Sequence, residues 1–543
     1  MIAKYNKDIR RNPDDADAYY NRGVAKYQLG DEQGAIADYN EAIRLKPDYA
    51  KAYYNRSVVK FNLGDYQGAI ADYNEAIRLK PDFANAYHNR GNAKSNLGDK
   101  QGAITDYSEA IRLKPDFADA YHNRGNAKYQ LGDKQGAIAD FNEVIRLKPD
   151  FAEAYYNRGV AKSDLGDVQG AITDYNEAIC LKSDYADAYY NRGTAKLGLG
   201  YVQGAIDDYT EVIRLKPNFA VAYFLRGSLK SLDDNQGAIT DFTEAIRLKP
   251  DYAKAYRGRG LAKYELRDKE GAIADYNEAI RLNPSFADAY HNRGNAKYQL
   301  GDKQGAISDF NEVIRLKPDF AEAYYNRAIA KSNLGNKQWA IIDFSSTICL
   351  KPDFAEAYYN RGVAKSDLGD KQGAISDFNE SIRLKNSLLH LPYNSRGLVK
   401  SELGDNQGAI NDYNEVIRLK PDFAEAYNNR GIAKYQLGDK QGAMADFSSA
   451  IRLKPDDIAA YSYRGNAKYD LGENQGAITD YSEAIRLNPD FALAYYNRGL
   501  IKKEKGERQE ALADFRKAAE LCQQQGNMEW YDNSRDKIRE LGG

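Results

Sequence analysis

At 543 residues the chain is well beyond the size at which one globular core stays undivided, and its 77 Lys and Arg against 79 Asp and Glu give a net charge of -2 with no like-charged block. That balance disfavours a nucleic-acid footprint, which would be strongly basic. Three dispersed cysteines (Cys180, Cys349, Cys522) without a CxxC or Cys/His cluster point to a reducing compartment, and MIAKYNKDIRR holds no secretory apolar core and the chain no membrane-length apolar run, so a cytoplasmic protein without membrane insertion is expected.

From the N-terminus, residues 1–12 read as half of a motif, because IleAlaLysTyrAsn from Ile2 aligns with IleAlaAspTyrAsn from Ile36. Pro-Asp punctuation then recurs from Pro13 to Pro489, with Ser183 and Asn386 standing in for proline, and marks fifteen repeats. Twelve of the fourteen intervals are 34 residues; the one after Pro217 is 33, with a residue lost near Leu232, and the one after Asn386 is 35, around Leu388 to Pro392. Such a period is the mark of a solenoid.

Phe117 to Asp150 represents the unit, with Ala118 taken as repeat position 1. Two helices are predicted. Asp116 is expected to cap the first, with Asp119 completing something close to a capping box, as Asp150 and Glu153 would in the next copy. The first helix should stop at Leu-Gly-Asp, with Gly132 left-handed and Asp133 capping the second, which runs to the next Lys-Pro-Asp. Two short helices cannot bury an apolar stripe alone, so hairpins must stack on hairpins. After the last repeat, Gly526 precedes a helix bearing Met528, Trp530, Tyr531, Ile538 and Leu541, and residues 523–543 are expected to cap the stack. Trp339, in place of a glycine, and Cys180 and Cys349, in place of arginine, read as drift.

The repeat carries Gly at position 8 in thirteen copies (Ser57 and Ala328 excepted), Ala at position 20 in all fifteen, an aromatic residue at position 24 and proline at 32. In these features residues 1–522 resemble a tetratricopeptide repeat protein, in a variant reading Tyr-x-Asn-Arg-Gly-x-Ala-Lys. The resemblance implies an all-α, right-handed superhelical solenoid of about fifteen stacked hairpins, whose concave surface holds extended peptides or partner helices. Arg and Lys replace the family's usual large apolar residues at positions 7 and 11, as in Arg124 and Lys128, and Asp140 represents an Asp at position 23 in every copy. The matched charges are read as internal pairs whose alkyl stems pack between helices, rather than as a basic stripe for a ligand.

If positions 3, 4, 7, 8, 10, 11 and 14 point into the stack, positions 2, 5, 6, 9, 12 and 13 form the opposite stripe. Position 6 gives a row of asparagines, Asn21, Asn55, Asn89, Asn123, Asn157, Asn191, Asn292, Asn326 and Asn360. A carboxamide both donates and accepts, so such a row can satisfy the backbone of an extended peptide whatever its side chains; a solvated helix residue bonding locally is the alternative. Position 5 adds Tyr20, Tyr54, His88, His122, Tyr156, Tyr190, His291, Tyr325 and Tyr359 as candidate peptide-contacting rings. The asparagine row breaks at Leu225 and Gly258 and again at Ser395 and Tyr463, which makes residues 17–200 and 288–370 the candidate grooves. Acids at position 2, such as Asp119 and Glu153, fit either capping or a basic ligand. No repeat holds the Lys and Asn with which some family members clamp a C-terminal carboxylate.

No nucleophile with its base, phosphate loop or metal set is evident, and successive histidines lie a repeat apart; no cofactor is expected. The expected function is a non-catalytic protein-protein interaction scaffold binding extended segments or partner helices of other proteins. The alternative is the recognition arm of a larger enzyme, a glycosyltransferase, kinase or protease. RNA binding by related helical repeats is disfavoured by register and charge.

Overall fold

A computed structural model describes residues 1–385 and 388–542, and among them the fold is all-α, with thirty-two helices paired into hairpins. Two compact units divide the chain, Met1–Arg267 and Asp268–Gly543. The first unit opens with Ile2–Arg11, the expected half-motif, then holds seven hairpins and Ala253–Glu265, the first helix of the eighth repeat. The second begins with that repeat's second helix, Lys269–Leu282, holds seven further hairpins and ends with Met528–Glu540.

In the fourth repeat the first helix is Ala118–Gln130 and the second Lys134–Leu147. Gly132 between them has φ 89°, the left-handed turn that ends the first helix. Asp133 then accepts from the Gly136 backbone N–H at 2.8 Å and caps the second. The carboxylate folds so closely over Gly136 that a Cβ there would meet it at 2.0 Å. Trp339 occupies this same position, and there Asn336 makes no side-chain cap. The folded-over cap requires the glycine, although Gly204 and Gly476 stand at the same position behind Tyr201 and Glu473, which form no side-chain cap.

The first helix departs from the expected capping. Phe117 and Phe151 occupy the N-cap positions with no side-chain hydrogen bond, and Asp116 makes no cap. Side-chain caps form only where Asp stands one residue later, at Asp15 and Asp457. Position 14 also departs: Leu131 is 52% exposed, because the left-handed glycine turns the chain away just after it. The lost residue of the seventh repeat shortens its first helix to Ala220–Lys230. Asn386, the marker ahead of the longer interval, lies outside the described residues.

Close approach of the paired helices explains the small residues. A Cβ on Gly125 would lie 2.8 Å from the Phe141 ring, while Ala120 and Ala137 are fully buried beside it. The recurring charges hold the same seam, as the sequence reading anticipated. Asp140, buried, accepts from Arg124 Nε and Nη2 at 3.0 and 2.7 Å and pairs with Lys128 at 2.9 Å. Arg124 also donates Nη1 to Ser108 of the preceding repeat at 3.1 Å and stands 5.4 Å from the centre of the Tyr121 ring. One guanidinium thus joins two helices of its own repeat and the hairpin before it. Position 25, which supplies that acceptor, drew no notice in the sequence; Asn40, Asn74 and Asn142 serve Arg56, Arg90 and Arg158 likewise. Even Ile2–Arg11 takes part, through Asn6 and Arg22 at 2.8 Å.

At the other end Met528–Glu540 packs Ile538 against Leu512, Phe515 and Ala519, and sets Trp530 edge-on to Tyr496 at 5.1 Å.

Candidate functional site

The position-5 rings and position-6 asparagines, read separately as peptide contacts, meet one another across repeats. Asn55 donates Nδ2 to the Tyr20 hydroxyl, Asn89 to Tyr54, Asn191 to Tyr156 and Asn360 to Tyr325, each at 3.0 Å. Where histidine replaces tyrosine, Asn123 donates to His88 Nε2 and Asn326 to His291 Nε2, also at 3.0 Å. Asn157 instead reaches Asn126 Oδ1 at 3.2 Å. Asn292 Nδ2 is buried without a partner, and so is Asn429 Nδ2, which follows a repeat with Asn394 at position 5. The row is therefore first a set of ties between hairpins. Each tie uses one amide hydrogen and leaves the carboxamide oxygen uncommitted by it.

The rings are half-buried as well. Tyr54 lies 6.0 Å from Tyr73 and 4.6 Å from Phe83, and His122 lies 6.0 Å from Phe141 and 5.1 Å from Phe151. Flanked on two sides, such a ring offers a partner its edge more than its face. Burial pushes the His88 and His122 pKa values below the ordinary imidazole range. His88 fits that neutral state: Nε2 accepts from Asn123, and Nδ1–H donates to Asn89 Oδ1 at 3.1 Å.

Clefts recur on one face, between the first helices of neighbouring repeats and over the position-24 ring. One of about 370 Å³ is lined by Asn92, Ser95 and Asn96 of the third repeat and Asn123, Asn126 and Gln130 of the fourth, with Phe61 and Tyr107. A second, about 240 Å³, lies between Val160, Ser163 and Asp164 and the pair Asn191 and Thr194. In the second unit a third, about 100 Å³, is framed by Tyr435, Tyr469, Asp470, Asn497 and Leu500. All three use positions 6, 9 and 12 or 13, so this part of the stripe is where the surface is indented. Position 9 enters the sequence reading only as a member of the stripe, yet Asn92 Oδ1 accepts from both Tyr107 Oη (2.8 Å) and Asn123 Nδ2 (3.0 Å). Its signal in the sequence is an Asn at position 9 followed by Asn at position 6 of the next copy, as in Asn126 with Asn157 and Asn466 with Asn497.

The acids of the stripe are largely neutralised within the protein. Asp119, Asp187 and Asp288 pair with Lys148, Lys216 and Lys317 of their own repeats at 2.7 to 2.8 Å. The bond to Lys148 holds the Asp119 carboxyl below its ordinary range. Lys134 and Lys337 reach Asp164 and Asp367 of the next repeats at 3.4 and 2.6 Å. Neither capping nor a basic ligand is needed to explain those position-2 acids.

Models of the tetratricopeptide repeat match along the chain. One described as TPR repeat covers residues 59–98, 96–132, 125–166, 163–200, 268–301, 294–335, 397–438 and 465–506, more than half of the sequence. Others described as tetratricopeptide repeat match 16–49, 424–457, 186–219, 355–388 and 492–525. The chain belongs to the tetratricopeptide repeat family. No curated protein matches it. Among solved structures this tetratricopeptide repeat chain is similar to MamA at 30% identity, over 30% of this chain and 96% of that one, with a TM-score of 0.29. YrrB, titled a TPR protein with an unusual peptide-binding site, is 22% identical over 34% of this chain and 95% of its own, TM-score 0.31. The yeast Tom70 structure is 18% identical over 85% and 97%, TM-score 0.33. Among the described residues of the tetratricopeptide array, no helix is long and apolar enough to cross a membrane.

Proposed function

We propose that this tetratricopeptide repeat chain is a non-catalytic scaffold that holds extended segments of partner proteins along the face bearing positions 6, 9, 12 and 13. The observation that carries the reading is the recurrence of clefts on that face, each floored by a buried position-24 tyrosine and walled by polar side chains from two repeats. A partner laid across successive hairpins meets carboxamide oxygens two repeats apart at Asn55, Asn123 and Asn191, which suit backbone N–H groups. The rings of position 5 contribute edges and support. Cys180 and Cys349, exposed and free, suit a reducing, cytoplasmic setting.

A crosslinked pull-down tests the reading, comparing wild type with a variant in which Asn89, Asn123 and Asn157 become Ala, and with an outer-face control changing Glu109, Glu143 and Glu177 to Ala. Partners should be lost from the first variant alone. A partner list unchanged by the asparagine substitutions, in a protein that still folds, would remove this face as the binding surface.

A further inference from the structure

The clefts differ in charge, and the difference separates them by ligand. The two smaller ones carry a carboxylate in their walls, Asp164 in one and Asp470 in the other. The cleft between the third and fourth repeats is walled by five carboxamides and Ser95, with no charged side chain in its lining. Apolar small molecules seek pockets with few polar groups; this one is the reverse.

Part of its hydrogen-bonding capacity is already committed within the protein. Asn123 uses both amide hydrogens, on His88 Nε2 and Asn92 Oδ1, so only its oxygen remains. Asn96 donates one Nδ2 hydrogen to the Asn92 backbone carbonyl at 2.9 Å, which leaves its oxygen and its second amide hydrogen. Ser95 Oγ accepts from Lys100 Nζ at 2.9 Å, so its hydroxyl hydrogen is free to donate, and Gln130, exposed on the rim, offers an amide of either sense. Asn126 donates one amide hydrogen to His122 Nε2 at 3.0 Å, accepts from Asn157 at 3.2 Å and keeps its second hydrogen, so the lining presents carbonyl oxygens and amide and hydroxyl donors side by side, without a charge.

We propose that this cleft is a subsite for the carboxamide side chain of a glutamine or asparagine in an extended partner segment, a specificity that rests on the scaffold reading above. The ligand NH2 meets the oxygens of Asn96 and Asn123, and its C=O meets the Ser95 hydroxyl and the Gln130 amide. A glutamate would bring a charge into a lining that holds no cationic side chain, Lys100 being bonded to Ser95, and would leave the free carbonyl oxygens without a donor. A lysine would bring an ammonium group into a lining with no carboxylate and with Lys100 already anchored at its wall. A leucine would bury the free carbonyls without partners.

Fluorescence polarisation on the full chain tests this with three labelled Ser/Thr-rich peptides, identical except that their spaced central residues are Gln, Glu or Leu, and a fourth carrying Lys. The glutamine peptide should bind about ten-fold more tightly than the others. Converting the rim with N96D and Q130E should abolish that preference and raise affinity for the lysine peptide, whereas D164N, in the neighbouring cleft, should leave the preference intact. Thermal melts establish that each variant is folded, and Q130E alone, on an exposed side chain, serves if the double variant is not. Equal binding of all peptides, no saturable binding of the glutamine peptide, or a preference unmoved by the rim conversion overturns the subsite. Equal binding would leave the scaffold reading standing; that reading falls only if the asparagine variant keeps its partners in the pull-down.

Discussion

Replacing Asp140 with Ala removes the acceptor on which the seam of the fourth repeat is built. The carboxylate, with its side chain 4% exposed, receives three donors, Arg124 Nε and Nη2 and Lys128 Nζ. Breaking a buried pair from one side costs about 3–5 kcal/mol when the surviving charge is stranded. Here the surviving Arg124 and Lys128 side chains keep 17% and 20% of their surface, and Arg124 retains Ser108, so about 2–4 kcal/mol is expected. Because each hairpin contacts only its neighbours, the loss should be local. Urea unfolding would measure the total, and hydrogen exchange followed by mass spectrometry should show faster exchange in residues 84–181 with little change in residues 287–383. A companion variant in which Arg124, Lys128 and Asp140 become Met, Met and Leu should recover most of the loss, since a buried ion network replaced by apolar groups of similar volume is often neutral. A loss under about 1 kcal/mol, or reduced partner binding with stability unchanged, would refute the structural role and revive the reading of these cations as a ligand stripe.

Two further outcomes follow from the geometry. Burial lowers the pKa of His88 and His122 in the folded chain, so the unfolded chain takes up protons first; stability should hold above about pH 6.5 and fall as pH drops below it, and urea midpoints at pH 7.5 and 5 should differ less once both histidines are changed to Asn. In the tenth repeat, changing Asn336 to Asp together with Trp339 to Gly should restore the missing cap and raise stability by about 1 kcal/mol, whereas Asn336 to Asp alone should gain less, because a Cβ at that position collides with a folded-over carboxylate; thermal melts would separate the two.

The repeat boundaries, the hairpins, the turn glycines and the internal pairing of Arg, Lys and Asp were legible in the chain, because each is a local or periodic demand that nearly every copy states. The reading failed where the demand was geometric. Asp116 stands one residue too early to cap a helix whose N-cap is Phe117, and Leu131, apolar and in helical phase, sits at a hairpin tip beyond the stack. The asparagine row was visible, but its partners were not: Asn123 and His88 are 35 residues apart in sequence and meet only because one hairpin is set beside the next. Sequence alone determined that the protein repeats and what each repeat is made of, since periodicity and helix chemistry act within 34 residues. Tertiary structure alone decided which side chains spend their hydrogen bonds on neighbouring hairpins and which keep them, since that depends on the offset between stacked copies.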